Sequence, residues 1–220
     1  MPLRAARETG ADEMKKACVL GLLTIVVTIV AIDAQQSRRP LSPAGSSATQ
    51  IGGNAFDGRQ GYVGGKWVEI TYGRPIMRGR DLFGPNDFVE FLNDGAPVWR
   101  AGANVSTRLF SELRLGLGGA IVPPGEYTVF IELARREWTL IVSTLQAQTQ
   151  GFDEDDPDSV FGAYSYTPDR DLVRVQMKLE TLPYSHDQLH WEFLDITPTG
   201  GRLAMIWADR MASVPFSVAE

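Results

Sequence analysis

The sequence predicts an all-β protein: an antiparallel β-sandwich or open barrel of about eight to ten strands, with at most one or two short helices. Three observations predict it. From Ile51 onward, short runs of Val, Ile, Leu, Thr and aromatic residues alternate with polar positions, the period of half-buried strands. Glycine and proline clusters separate these runs at close intervals. A helical period is nearly absent.

Taken in order, the first strand is Lys66–Tyr72, with Trp67, Glu69 and Thr71 on one face and Val68, Ile70 and Tyr72 on the other. Asn86–Asn93 carries Phe88, Phe91 and Leu92 at helical spacing and predicts one short amphipathic helix. Thr107–Leu117, Tyr127–Leu133 and Trp138–Leu145 read as a meander, turning at Gly118-Gly119, Pro123-Pro124-Gly125 and Arg135-Arg136. Leu172–Leu179 alternates most cleanly, Val173, Val175, Met177 and Leu179 against Arg174, Gln176 and Lys178. Leu189–Ile196, Arg202–Trp207 and Ala212–Val218 follow, with Pro198-Thr199-Gly200-Gly201 as a turn. The stretch 146–171 is long for a loop and includes the acidic run Asp153–Asp158.

The N-terminus reads as a targeting segment. Lys15 and Lys16 precede an apolar run, Ala17–Ile32, of 16 residues, near or under the roughly 17–25 that span a bilayer. A small-residue cleavage point follows at Ala31-Ile32-Asp33-Ala34. Residues 1–34 are therefore expected to be an upstream extension plus signal peptide, with an uncleaved anchor as the alternative. Export to the periplasm or the extracellular space is expected, and membrane contact only through this segment. Residues 35–50, rich in Gln, Ser, Arg and Pro, read as a linker, and 51–220 as a single β domain.

Composition excludes several classes. The chain has 21 basic against 27 acidic side chains, a net charge of -6, and this argues against nucleic-acid binding. All of that charge belongs to the body, because 17 basic and 23 acidic residues follow residue 34. Two histidines and one cysteine cannot build a zinc finger, and Cys18 lies inside the targeting segment.

Four segments carry a family resemblance: YGRPIMRGRDLFG at Tyr72–Gly84, VWRAGAN at Val98–Asn104, VPPGEYTVF at Val122–Phe130 with WTLIV from Trp138, and FGAYSYTPDRDLVRV at Phe161–Val175. In order and spacing they resemble the bacterial DUF2911 family, exported domains of unknown function. The resemblance covers roughly residues 47–220. It implies a strand-rich exported domain and supplies no substrate, cofactor or catalytic residue. The segment between Gly84 and Val98 and the acidic run depart from the family pattern by their length.

The candidate site is Arg74, Arg78, Arg80, Trp99, Arg100 and Asn104, set on turns punctuated by glycine and proline. Guanidinium forks match carboxylates, phosphates and sulfates, and an indole face stacks on a sugar ring. These residues would form a pocket for a small anionic or carbohydrate-like ligand. The alternative is that the arginines tie loops together through backbone carbonyls and Asp81, Asp87 or Asp94. No catalytic residue, metal or cofactor is expected. His186-Asp187-Gln188-Leu189-His190 has the spacing of a zinc-protease motif. In a strand, however, positions four apart are separated by roughly 13 Å, so exposed edge histidines are expected instead. The acidic run lacks the EF-hand pattern and reads as a solvated loop, with calcium binding as its alternative. The carboxylates Glu69, Glu112, Glu126 and Glu132 offer no distinguishable acid–base pair. The functional expectation is a non-catalytic exported binding module; the rivals are a structural or protein-interaction domain and a carboxylate-based hydrolase.

Overall fold

The computed structural model describes residues 40–53, 58–59, 63–83, 89–134 and 137–219. The expected signal segment lies outside these residues, as do residues 35–39 of the expected linker. Leu41–Glu220 form one unit, which is described here.

Ten strands make two antiparallel sheets. The first contains β1 (Ala44–Ile51), β2 (Lys66–Gly73), β3 (Thr107–Ser111), β6 (Gly125–Leu133), β7 (Trp138–Ser143) and β8 (Asp171–Gln176), in the spatial order β1-β2-β3-β6-β7-β8. The second contains β4 (Leu115–Leu117), β5 (Ala120–Val122), β9 (Lys178–Thr197) and β10 (Gly200–Val218), in the order β5-β4-β10-β9. Among the described residues no ladder joins the two sheets into a closed barrel, and the arrangement is the expected sandwich. Among the described residues helix is confined to α1 (Val89–Asn93) and a single 3-10 turn, Pro168–Arg170.

The inner faces follow the alternation of the sequence. Val68, Ile70, Leu109, Val129, Ile131, Leu140 and Val142 from the first sheet meet Leu115, Leu117, Leu189, Trp191, Leu203, Met205 and Trp207 from the second, all buried. Each such side chain contributes about 1.5–3 kcal/mol through burial. Strands β6 and β7 are buried on both faces. A second cluster of Val98, Phe130, Ile141, Val160 and Ala163, with Tyr166 against it, roofs their outer side.

Three expectations about elements are corrected. Ala44–Gln50, expected in the linker, form β1 with Ile51, paired along its length with β2 from Ala44↔Gly73 to Ile51↔Lys66. The 107–145 segment is not a simple meander. Ser111 turns back through its own hydroxyl, which bonds the Leu113 carbonyl and N–H, and β4 and β5 form a hairpin in the opposite sheet. The alternating run Leu172–Leu179 is divided between sheets: β8 pairs β7, Met177 donates to the Trp138 carbonyl, and β9 begins at Lys178 beside β10.

The edge strand β9 is heavily bulged. Thr181 faces Arg210 and His186 faces Ala208, so Pro183 sits where the ladder is interrupted, the position at which a strand tolerates proline. Next to it, Arg74–Met77 continue beyond β2 and lie along β9. Leu189 N–H donates to Pro75 O (3.0 Å), Met77 N–H to Asp187 O (2.5 Å), and Ile76 pairs with Gln188. One stretch of chain thus links the two sheets.

The acidic run is an ordered loop whose carboxylates are largely exposed, in line with the solvated loop expected. Gln148, nearly buried, donates to the carbonyls of Asp153 (2.9 Å) and Asp156 (2.8 Å) and accepts from Asp153 N–H (2.9 Å). Among the described residues no group of three or more His, Cys, Asp or Glu could hold a metal ion.

Two consequences can be measured. A Cβ at Gly73 would stand 1.8 Å from the Ala103 carbonyl oxygen, a backbone atom that cannot step aside. Gly73→Ala should cost about 1–3 kcal/mol or more, seen as a lower urea midpoint. Gln148→Ala strands three backbone groups and should cost about 1–3 kcal/mol, with faster amide exchange at Asp153 as its local signature.

Candidate functional site

The loop between α1 and β3 supplies most of the site, and its backbone is unusual. Asp94, Ala101 and Asn104 all have left-handed φ values (53°, 55° and 64°). Aspartate and asparagine tolerate this region, whereas alanine does so at a cost. Ala101 is held there by two buried donors to its carbonyl, Thr107 Oγ1 (3.1 Å) and Trp191 Nε1 (3.0 Å). Trp99 is pinned by paired backbone bonds with Ile131 and by Nε1 donating to Gly102 O (3.1 Å). Its ring stacks on Trp207 at 6.0 Å and 17°, and Trp207 Nε1 donates to Asp187 O (3.3 Å).

Above these two indoles lies a cavity of about 290 Å³. Four of the six expected residues line it: Arg80, Trp99, Arg100 and Asn104. Leu92 and Phe91 from α1, Asp94, Trp207, Pro75 and Ser42 complete much of the wall. Arg74 and Arg78 are not among the lining residues. Arg74 Nε donates to Leu189 O (3.4 Å), and its own carbonyl accepts from Gln188 Nε2 (3.3 Å). Arg78, with φ 53°, reaches Leu41 O through Nη2 (3.5 Å), while its N–H bonds Asp187 Oδ1 (3.2 Å).

The two arginines of the cavity are engaged as well. Arg80 donates from Nε to Met77 O (2.9 Å) and from Nη2 to Ile76 O (2.7 Å), and its guanidinium stands 5.2 Å from the Phe91 ring centre. Arg100 donates from Nη1 to Asn104 O (2.9 Å) and from Nη2 to Asp94 Oδ2 (3.1 Å). It passes tightly over Gly162, where a Cβ would meet its Nη1 at 2.7 Å, and lies 5.7 Å from the Tyr164 ring centre. Both partly answer the sequence-based alternative, in which arginines tie loops together. Arg80 Nη1 and Arg100 Nε make no hydrogen bond among the described residues. The Tyr164 hydroxyl also donates to Asp94, and this bond is the main cause raising the phenol's pKa. Asn104 Nδ2 donates to Ser42 O (2.9 Å), fastening the chain ahead of β1 to the site.

Sequence reading offered Asp94 only as a possible partner of the arginines, which it is for Arg100, and missed Ser42 and Trp207 as members of this cavity. Asp94 had a signal in the Asn93-Asp94-Gly95 turn after the helix. Ser42 and Trp207 had none, because only tertiary pairing brings them there. The candidate carboxylates are dispersed: Glu126 pairs with Arg108 (2.9 Å), Glu132 with Arg174 (2.5 Å), and Glu112 caps the Trp67 N–H (2.8 Å).

The expectation of two exposed histidines 13 Å apart is overturned. The β9 bulge sets His190 opposite Ile206 and His186 opposite Ala208, so four residues of one strand span two of the other. The ring centres are 4.7 Å apart. Both Nε2 atoms are buried. Burial, the larger cause, and the neighbouring His186 lower the His190 pKa.

The family model for DUF2911, a protein of unknown function, matches residues 57–216. No curated protein and no solved structure matches the chain.

Arg100 can be tested directly. Lysine cannot reach both Asp94 and the Asn104 carbonyl with a planar fork. Arg100→Lys should lower stability by about 1–2 kcal/mol, read as a reduced thermal midpoint.

Proposed function

Because the chain belongs to the DUF2911 family, whose function is unknown, we propose from the pocket alone that it is a non-catalytic binding module for one small sugar-acid-like ligand. The observation that carries this reading is convergence. Side chains from the Arg80 turn, α1, the 94–104 loop and β10 close on a single cavity in which aromatic surface alternates with donors and acceptors. Small-ligand sites combine these features, with volumes of about 300–1,000 Å³. A cavity of about 290 Å³ corresponds to one ring-sized guest.

The charge of the lining favours an anion. Among the described lining residues Arg80 and Arg100 face a single carboxylate, Asp94, a balance of one positive charge inside an acidic protein. Arg80 Nη1 and Arg100 Nε supply donors, Asp94 and Asn104 side-chain oxygens can accept from ring hydroxyls, and Phe91 offers an apolar face. Among the described residues the lining holds no histidine, no cysteine and no second carboxylate. An acid–base pair for glycoside hydrolysis needs two carboxyl groups, which supports binding over hydrolysis. Export, to the periplasm or beyond the cell, belongs to the same proposal and rests on the signal-like residues 14–34.

A thermal-shift series with galacturonate, glucuronate and their neutral sugars tests it, since ligands that bind the native state raise the midpoint. A uronic acid should give a saturable rise that its neutral sugar does not. Phe91→Ala and Arg80→Gln should each weaken it tenfold or more, about 1.4 kcal/mol. Equal shifts in the variants, or none with any sugar acid, would overturn the reading.

A further inference from the structure

We propose that His186 and His190 together form a two-imidazole site for a late first-row divalent metal ion, copper(II) foremost. They are the only histidines in 220 residues, and the β9 bulge brings their rings together.

Their geometry matches shared coordination. An imidazole nitrogen sits about 2.0 Å from a bound metal ion, and the ring centre lies about 1.1 Å further out. Two such rings at ligand–metal–ligand angles of 90–110° have centres about 4.4–5.1 Å apart. The observed separation is 4.7 Å, with 39° between the planes. The Nε2 atoms of both residues are buried and find no hydrogen-bond partner among the described residues. Buried polar atoms of native proteins nearly always have a partner, and water or an ion serves where the protein supplies none.

The surroundings support the same assignment. Glu192 Oε1 lies 3.6 Å from His190 Nδ1. A carboxylate on that side favours the proton at Nδ1 and leaves the Nε2 lone pair for a metal, the arrangement seen behind metal-bound histidines. Its charge also offsets that of Arg74, which acts on His190 from the neighbouring segment. Tyr184, 60% exposed, sets its ring 5.2 Å from His186, and the His190 side chain is itself 22% exposed, so the pair lies near the surface. With no third His, Cys, Asp or Glu among the described residues completing a set, the protein supplies two ligands and water or a small anion supplies the others. Structural zinc sites are closed by four protein ligands. Copper(II) accepts two imidazoles with solvent in tetragonal geometry and binds nitrogen sites most tightly among the divalent series.

The test is copper(II) titration of the untagged full chain, followed by electron spin-echo spectroscopy, which counts coordinated imidazoles. One equivalent should show two imidazoles on a monomeric protein. His186→Gln and His190→Gln should each leave one and weaken binding at least tenfold, with folding checked by circular dichroism. If His190→Gln does not fold, the wild-type spectrum and His186→Gln carry the test. A wild-type spectrum with one imidazole or none, binding unchanged by His186→Gln, or a two-imidazole signal that appears only with dimerisation would each overturn the site.

Discussion

The short pairing of Pro75–Met77 with Asp187–Leu189 is the constraint on which the other features rest. It joins the end of β2, in one sheet, to the bulged edge of β9, in the other. An edge strand leaves a row of unpaired N–H and C=O groups, and a bulge adds more of them. Here the chain leaving β2 covers that edge. The same backbone oxygens then serve twice. The Asp187 carbonyl accepts both Met77 N–H and Trp207 Nε1, fixing the indole beneath the cavity. The Ile76 and Met77 carbonyls hold the Arg80 guanidinium at its rim.

This arrangement explains how arginines can be structural and still face a ligand. A guanidinium has five donors in a rigid fork. Arg80 commits two of its nitrogens and Arg100 two of its own, so each is held in one orientation with one edge left over. Lysine would have to give up its protein contacts to gain a guest. Fixing the fork in advance lowers the ordering cost of binding, because the side chain has little rotamer freedom left to lose. The ion pair with Asp94 adds little energy by itself, since that carboxylate is 59% exposed and surface pairs contribute about 0–1 kcal/mol. Its value is positional: it sets where the Arg100 plane points.

Local alternation made most strands legible: Lys66–Tyr72, Tyr127–Leu133 and Trp138–Leu145 differ from β2, β6 and β7 by only one or two residues at an end. Sheet membership was not legible. Leu172–Leu179 keeps an unbroken period of two while the chain passes from one sheet to the other at Met177, because the core lies on the same side of both. Ala44–Gln50 is small and polar, with weak strand preference, and becomes β1 only through its ladder with β2. The candidate site was half legible. Arginine and tryptophan on glycine-rich turns pointed to the 98–104 loop, and four of six residues meet there. Arg74 and Arg78 stand apart because the strand-like segment between them sends their side chains to other partners. Spacing misled for the histidines because a regular strand was assumed, and Pro183 was the one residue that signalled an interrupted ladder.

The two sites share that irregularity. In a regular β9, His186 and His190 would lie too far apart to meet. The bulge that gathers them also presents the Asp187 carbonyl to Trp207, which stacks on Trp99 under the cavity. Bulges re-aim side chains and are common beside functional sites. Proline at 183 ends the regular pairing, and the β2 extension prevents the exposed groups from recruiting another strand. One local departure from strand geometry therefore places imidazoles on one side and the aromatic floor on the other, which a continuous ladder of the same residues could not do.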